Sequence, residues 1–213
     1  MAISIVDHQL PDYTHNLYDV TFFQNTISTI VTNIPSYVDS WIADIQRIHH
    51  HRLHSLVVGL DVEWRPNYSR NVENPVATLQ LCVGRRCLIF QILHSPSIPQ
   101  SLIAFLGNRS YTFAGVGIEN DVEKLTEDYN LVVARTADLR TLAADAYGVR
   151  ELKNAGIKEL TSRVLGVEMN KPKGITMSRW DNQWLTPPQV QYACIDAFLS
   201  FEIGRILISG NHN

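Results

Sequence analysis

The chain has 213 residues, 45 % of them hydrophobic and 18 % charged, with a formal net charge of −3. That length can bury one substantial core, and no composition break marks a second. A slight negative charge excludes a general nucleic-acid coat protein, whose affinity rests on phosphate neutralisation by lysine and arginine. It leaves room for an enzyme in which bound metal ions supply the positive charge. No stretch is long enough to span a bilayer, and Met1 to Asp7 lacks the basic start and long apolar run of a signal peptide. Cys82, Cys87 and Cys194 lack zinc-type spacing and read as buried thiols of a reducing compartment. The expected location is the cytoplasm, with the nucleus as a second one, and no membrane partner is expected.

In chain order, Asn16 to Phe23 and Thr26 to Thr32 are β-prone runs around a turn at Gln24-Asn25, and a helical pattern follows from about Tyr37 to Ile48. Residues 1–54 therefore read as a hairpin and helix integrated with a main domain over 55–213. His49-His50-His51 with His54 has the composition of a metal tract. Contiguous histidines point in different directions, however, which favours a solvated helix end. Ser55 to Leu60 is a short apolar run of the kind covered on both faces of a sheet. Val76 to Val83 and Cys87 to Ile92 flank a compact antiparallel turn at Gly84-Arg85-Arg86. A Pro99 to Gly107 helix, a Tyr111 to Val116 strand, an Asp121 to Tyr129 helix, a short strand near Ala134 to Ala137 and a final helix from about Pro188 to Ile208 complete the pattern. Together they predict an α/β fold with a mixed central sheet of about five strands, an N-terminal addition and helices on both faces.

Asp61 and Glu63 end the apolar run and are two apart, so they share one face of a strand about 7 Å apart. Two anions held that close need cations, and hard oxygen ligands suit Mg²⁺ or Mn²⁺; the ordinary alternative is a capped turn. Asp121 follows a second buried strand and a glycine-punctuated turn, the usual place of sites on open α/β sheets. Taken alone it reads equally as an acid favouring a helix dipole. Tyr192 and Asp196 are four apart and share a helix face beside an apolar stripe, after a plausible N-cap at Thr186 with proline following.

The ordered set Asp61, Glu63, Asp121, Tyr192 and Asp196 resembles the DEDD-type 3′-5′ exonucleases of the tyrosine subtype, which include RNase D and the Werner-type exonuclease domain. The resemblance runs from about Val57 to Arg205. It includes Ala77-Thr78-Leu79-Gln80-Leu81-Cys82, Gly115-Val116-Gly117-Ile118-Glu119-Asn120-Asp121, and Trp180 followed by Leu185-Thr186. Within the family the chain is most similar to the plant branch of RISC-interacting clearing exoribonucleases. The resemblance implies a ribonuclease H-like (DnaQ-like) fold and hydrolysis of a single-stranded 3′ end to nucleoside monophosphates, with two Mg²⁺ or Mn²⁺ ions held by Asp61, Glu63, Asp121 and Asp196. Asp61 would bridge the ions and Tyr192 would orient the attacking water. It further implies RNA as substrate, a role in clearing RNA fragments during small-RNA silencing, Argonaute partners and a homohexamer.

Two other functions stay open: a Werner-like DNA exonuclease in repair, and a catalytically silent nucleic-acid-binding scaffold, against which all four acids stand. RNA and DNA differ by a 2′-OH contact that no sequence pattern identifies. For substrate grip the candidates are Trp64 and Arg65, equally readable as rim packing and a solvated cation, Leu79 as a wedge beside the terminal base, and Lys173 in the basic loop Lys171-Pro172-Lys173-Gly174. Trp180 reads better as an anchor of that loop in the core. The apolar side chains of the N-terminal hairpin, Tyr18, Val20, Phe22, Phe23, Ile27, Ile30 and Val31, predict either self-association or an extension of the protein's own sheet.

Overall fold

The computed structural model describes residues 3–11, 14–67, 73–169 and 173–210. The chain opens with three strands, β1 (Ile3–Asp7), β2 (His15–Phe22) and β3 (Asn25–Thr32), followed by helix α1 (Pro35–Ile48). Strands β4 (Val57–Trp64), β5 (Val76–Val83) and β6 (Arg86–Phe90) follow, then α2 (Gln100–Leu106), β7 (Thr112–Gly115), α3 (Ile118–Tyr129) and β8 (Thr136–Asp138). Helices α4 (Leu139–Tyr147), α5 (Ile157–Leu160), α6 (Lys173–Thr176) and the long α7 (Pro187–Ser209) complete it.

All eight strands form one mixed sheet in the order β1-β2-β3-β6-β5-β4-β7-β8. Pairing is parallel at β3/β6, β4/β7 and β7/β8 and antiparallel elsewhere. The sequence pattern predicts the five strands β4 to β8 and the β2–β3 hairpin. It misses β1, which adds an outer edge by pairing Ile3–Asp7 with Tyr18–Phe22. Strand β3 pairs in parallel with β6 and joins the N-terminal strands to the same sheet. The apolar side chains of the hairpin are consumed in this way: Tyr18, Val20, Phe22, Ile27 and Val31 are buried in the chain's own core. The hairpin thus extends the protein's own sheet with five of the seven side chains, while Phe23 stays exposed and Ile30 half-buried.

Strand parity separates the two faces. Gly59 faces α7, because a Cβ there would lie 2.0 Å from the Ala197 carbonyl oxygen and 2.6 Å from the Phe201 nitrogen. Asp61 and Glu63 share that face. Val58 faces the other way with its register partner Phe113, on which Phe105 of α2 packs edge-on, with Trp41 of α1 behind it. Helices thus cover both faces, as the pattern predicts. Helix α7 is buried along nearly its whole length, from Gln189 to Leu207, which an ordinary amphipathic surface helix would not be. Its start has a capping box, in which Thr186 and Gln189 satisfy each other's backbone groups, and Pro187 and Pro188 take the first-turn positions that need no donor.

The contact at Gly59 leaves no room for a methyl group, and both atoms it would strike are helix backbone that cannot rotate away. Gly59→Ala should destabilise the protein by about 3 kcal/mol or more, read as a lower urea midpoint, because helix and strand must separate to admit it.

Candidate active site

Three carboxylates meet where β4 ends under α7. One oxygen from each of Asp61, Glu63 and Asp196 lies within 4.8 Å of the other two, with Asp196 buried and the other two acids half-buried. The strand delivers the first two on one face, and the helix, seated at Gly59, delivers the third. Immediately after Glu63 the β4–β5 register shifts, with Glu63 opposite Thr78 and Trp64 opposite Val76, so Ala77 of β5 is the extra residue. Three convergent hard oxygen donors of like charge fit a divalent cation of the Mg²⁺ or Mn²⁺ class, and among the described residues no other group of histidines, cysteines or acids does. The His49–His51 tract accordingly forms no such group: the His50 ring packs on His51 and its Nδ1 contacts the Arg47 carbonyl.

Asp121 stands outside the three-oxygen group. It lies in the first turn of α3, which starts at Ile118 rather than Asp121 because Gly117, at φ 68°, turns the chain into the helix. The end of β7 is beside the end of β4, with Gly59 paired to Ala114, so this turn borders the same end of the sheet. Its neighbours are Glu119, Asp138 and Arg140. The Arg140 guanidinium is 2.7 Å from Asp138 and lies over Gly117, close enough to be 3.1 Å from a Cβ placed there. Burial, then the charges of Glu119 and Asp138, raise the Asp121 carboxyl to about 7 against the opposing pull of Arg140.

The Tyr192 ring is buried, 6.0 Å from the Trp180 ring, and its hydroxyl is 3.0 Å from the Thr176 hydroxyl. Trp180 is fully buried and its indole N–H donates to the Thr176 carbonyl, which makes it the loop anchor the sequence suggests. Thr176 is a contact that no sequence signal reveals, since it comes from a one-turn helix sixteen residues from the tyrosine it touches.

The candidate grip residues separate. Trp64 is half-buried and lies under Lys124, whose ammonium is 5.4 Å from the ring centre. Arg65 is 3.5 Å from Asp181, which Arg179 also holds at 2.7 Å. Leu79 is fully buried and pairs with Val62, so it points to the face opposite the acids and presents no surface to a ligand. The residues facing Asp61 and Glu63 across the strand are instead Gln80 and Thr78. The sequence carries that signal as two polar residues at alternate positions of an otherwise apolar strand. Lys171 and the Lys173 side chain lie outside the described residues.

The Asp121 shift sets a direction for stability. Its folded value near 7 exceeds the 3.8 of an ordinary aspartate, so its contribution is full below pH 3.8 and is lost as pH rises through about 7. In metal-free protein, Asp121→Asn should be the more stable form at pH 8 by roughly 2 kcal/mol, with the difference closing toward pH 4 in urea titrations.

A model of the 3′-5′ exonuclease family matches residues 37–209. The chain is 36 % identical over 152 residues to an Arabidopsis thaliana 3′-5′ exonuclease, covering 70 % of this chain and 52 % of that protein. It is 37 % identical over 143 residues to the mouse bifunctional 3′-5′ exonuclease/ATP-dependent helicase WRN, covering 67 % of this chain and 10 % of that one. The chain thus spans about half of the first relative and a tenth of the second. Among solved structures, the Aedes aegypti Nibbler EXO domain superposes with a TM-score of 0.68 at 16 % identity, over 84 % of this chain and 87 % of that one. Escherichia coli RNase D superposes with a TM-score of 0.64 at 19 % identity, over 81 % and 43 %. These two share the fold. The family match over residues 37–209, which takes in all five candidate residues, makes this chain a member of the 3′-5′ exonuclease family.

Proposed function

We propose that this domain is a metal-dependent 3′-5′ exonuclease that hydrolyses single-stranded nucleic acid, RNA in preference to DNA, to nucleoside monophosphates. The observation that carries the reading is the convergence of Asp61, Glu63 and Asp196 within 4.8 Å in a chain of this family. Asp61, Glu63 and Asp196 would hold one divalent ion, and Asp61 with Asp121 a second, Asp121 partly through water. Bound there, the ions would activate water and stabilise the charge that develops on the leaving 3′ oxygen. The chain's own part is positional. Tyr192, steadied by Thr176, offers its hydroxyl to orient the attacking water, since a phenol is a poor outright base at neutral pH. Asp121 gives up its proton as cations bind, so metal affinity rises with pH.

The RNA preference, a role in clearing fragments during small-RNA silencing, and Argonaute partners are supported by the resemblance to the plant clearing exoribonucleases. The cytoplasmic location, with the nucleus second, draws on three free and buried cysteines, which suit a reducing compartment, and no helix among the described residues is long and apolar enough to cross a membrane. A DNA substrate is the second reading, favoured by the 37 % identity to the mouse exonuclease/helicase. A silent scaffold is disfavoured because all four acids are present. A homohexamer belongs to the same proposal and is supported by the same branch and by the place of β1 at an outer edge of the sheet among the described residues.

Digestion of matched 3′-labelled and 5′-labelled RNA and DNA, single and double stranded, with Mg²⁺ or Mn²⁺, tests the reading. Stepwise shortening from the 3′ end of single-stranded RNA is expected, and products that shorten from the 5′ end would sink it. Asp61→Asn should abolish turnover in a folded protein, with any rate above a hundredth of wild type ruling out its role at the ions. Tyr192→Phe should slow the reaction by about 10²–10⁴ with metal affinity unchanged; full activity would make the tyrosine a packing residue. Light scattering at micromolar concentration should give a mass about six times 24.1 kDa, and a fully active monomer would exclude an obligate ring.

A further inference from the structure

Strand β5 is buried at all eight positions, and only two of its side chains on the acid side are polar. Gln80 is the register partner of Asp61 and Thr78 that of Glu63, so both stand on the acid-bearing face of the sheet. Neither has exposed surface. The Gln80 amide nitrogen donates to the Thr78 hydroxyl at 2.6 Å, which fixes the amide plane. With the nitrogen so engaged, the carbonyl oxygen Oε1 is buried with no hydrogen-bond partner among the described residues.

A buried acceptor of this kind costs stability, and a well-packed strand would be expected to carry an apolar side chain there instead. The surroundings explain why the chain itself does not satisfy it. Among the described residues no donor reaches the amide oxygen, and the side chain directly opposite it in register is an acid. The donor must arrive with something the acids attract. A hydrated divalent cation answers both needs: the carboxylates take the metal, and a water on that metal, acidified by it, donates to the amide oxygen.

We infer that Gln80 is a positioning residue that accepts a hydrogen bond from a metal-bound water at the Asp61–Glu63–Asp196 cluster, with Thr78 fixing its orientation. The inference rests on the metal-dependent reading above. It goes beyond that reading by assigning a role to an uncharged side chain that holds no metal itself. Gln80 thereby orders the coordination sphere from the neighbouring strand β5.

The test measures Mn²⁺ binding by calorimetry without nucleic acid, alongside urea stability of the metal-free protein. Gln80→Met removes the acceptor and keeps the volume, so it should weaken Mn²⁺ binding about tenfold while leaving the urea midpoint unchanged or higher. In turnover assays kcat should fall and the KM for the strand should not move. Gln80→Glu keeps an acceptor oxygen at the same reach and should restore Mn²⁺ affinity. Thr78→Val, which frees the amide to rotate, should weaken binding in the same direction and protects the test should Gln80→Met fold poorly. Unchanged Mn²⁺ affinity in Gln80→Met and Thr78→Val, whatever their stability, would overturn the inference, as would a loss that Gln80→Glu does not restore. A wild-type protein that binds no Mn²⁺ at millimolar concentration would overturn the metal reading itself, a separate failure.

Discussion

The site depends on how closely α7 lies on β4. Most helix-on-sheet contacts are set by side chains that hold the two layers well apart, but here backbone meets backbone at Gly59. The close approach lets a helical aspartate, Asp196, reach the same point as two strand carboxylates, whose side chains are short. One residue of larger volume at the crossing would lift Asp196 away from Asp61 and leave three acids that share no ligand. The glycine belongs to the site as much as the acids do, although it touches no substrate.

Packing of that kind must also restrain electrostatic repulsion. Like charges drawn together in a partly buried place destabilise the folded chain, and the surrounding sheet supplies the compensation, with mostly apolar layers on the α1 and α2 side and a helix buried over most of its length on the other. At the neighbouring turn, Arg140 offsets part of the charge of Asp138 and its companions, and Asp121 relieves the rest by keeping its proton into the neutral range. The register shift after Glu63 interrupts the regular pairing once the second acid is set, one residue before β4 ends at Trp64. Stability is thus stored in the layers and spent in one corner of the sheet.

Much of this was legible in the sequence where one period or one short-range rule decides the outcome. Period two places Asp61 and Glu63 on a common face, and the spacing of Tyr192 and Asp196 places them on another. The five strands from β4 to β8 and the β2–β3 hairpin announce themselves as apolar runs between turns. Strand β1 does not, since five residues at an outer edge alternate too weakly to be distinguished, and α4 is short and rich in alanine. Helix α3 starts three residues before Asp121, because a left-handed glycine, not the first acid of the pattern, sets it. The motif around Leu79 suggests a wedge, but register, which only pairing can fix, turns it to the opposite face and brings Gln80 to the acids. Thr176 was invisible for a plainer reason: its contact with Tyr192 joins a four-residue helix to a distant one, and no periodicity encodes that.

The place of α7 in the chain has a consequence for how the molecule comes into being. During synthesis the N-terminal strands, the acid pair and the α3 turn all emerge before α7, which brings Tyr192 and Asp196. Helix α7 also packs against strands from β1 to β7, so the sheet has one face uncovered until residues 187–209 arrive. Folding and the completion of the acid cluster are therefore one event rather than two. A chain still short of α7 carries three of its four candidate acids but not the Asp196 that closes the cluster with Asp61 and Glu63.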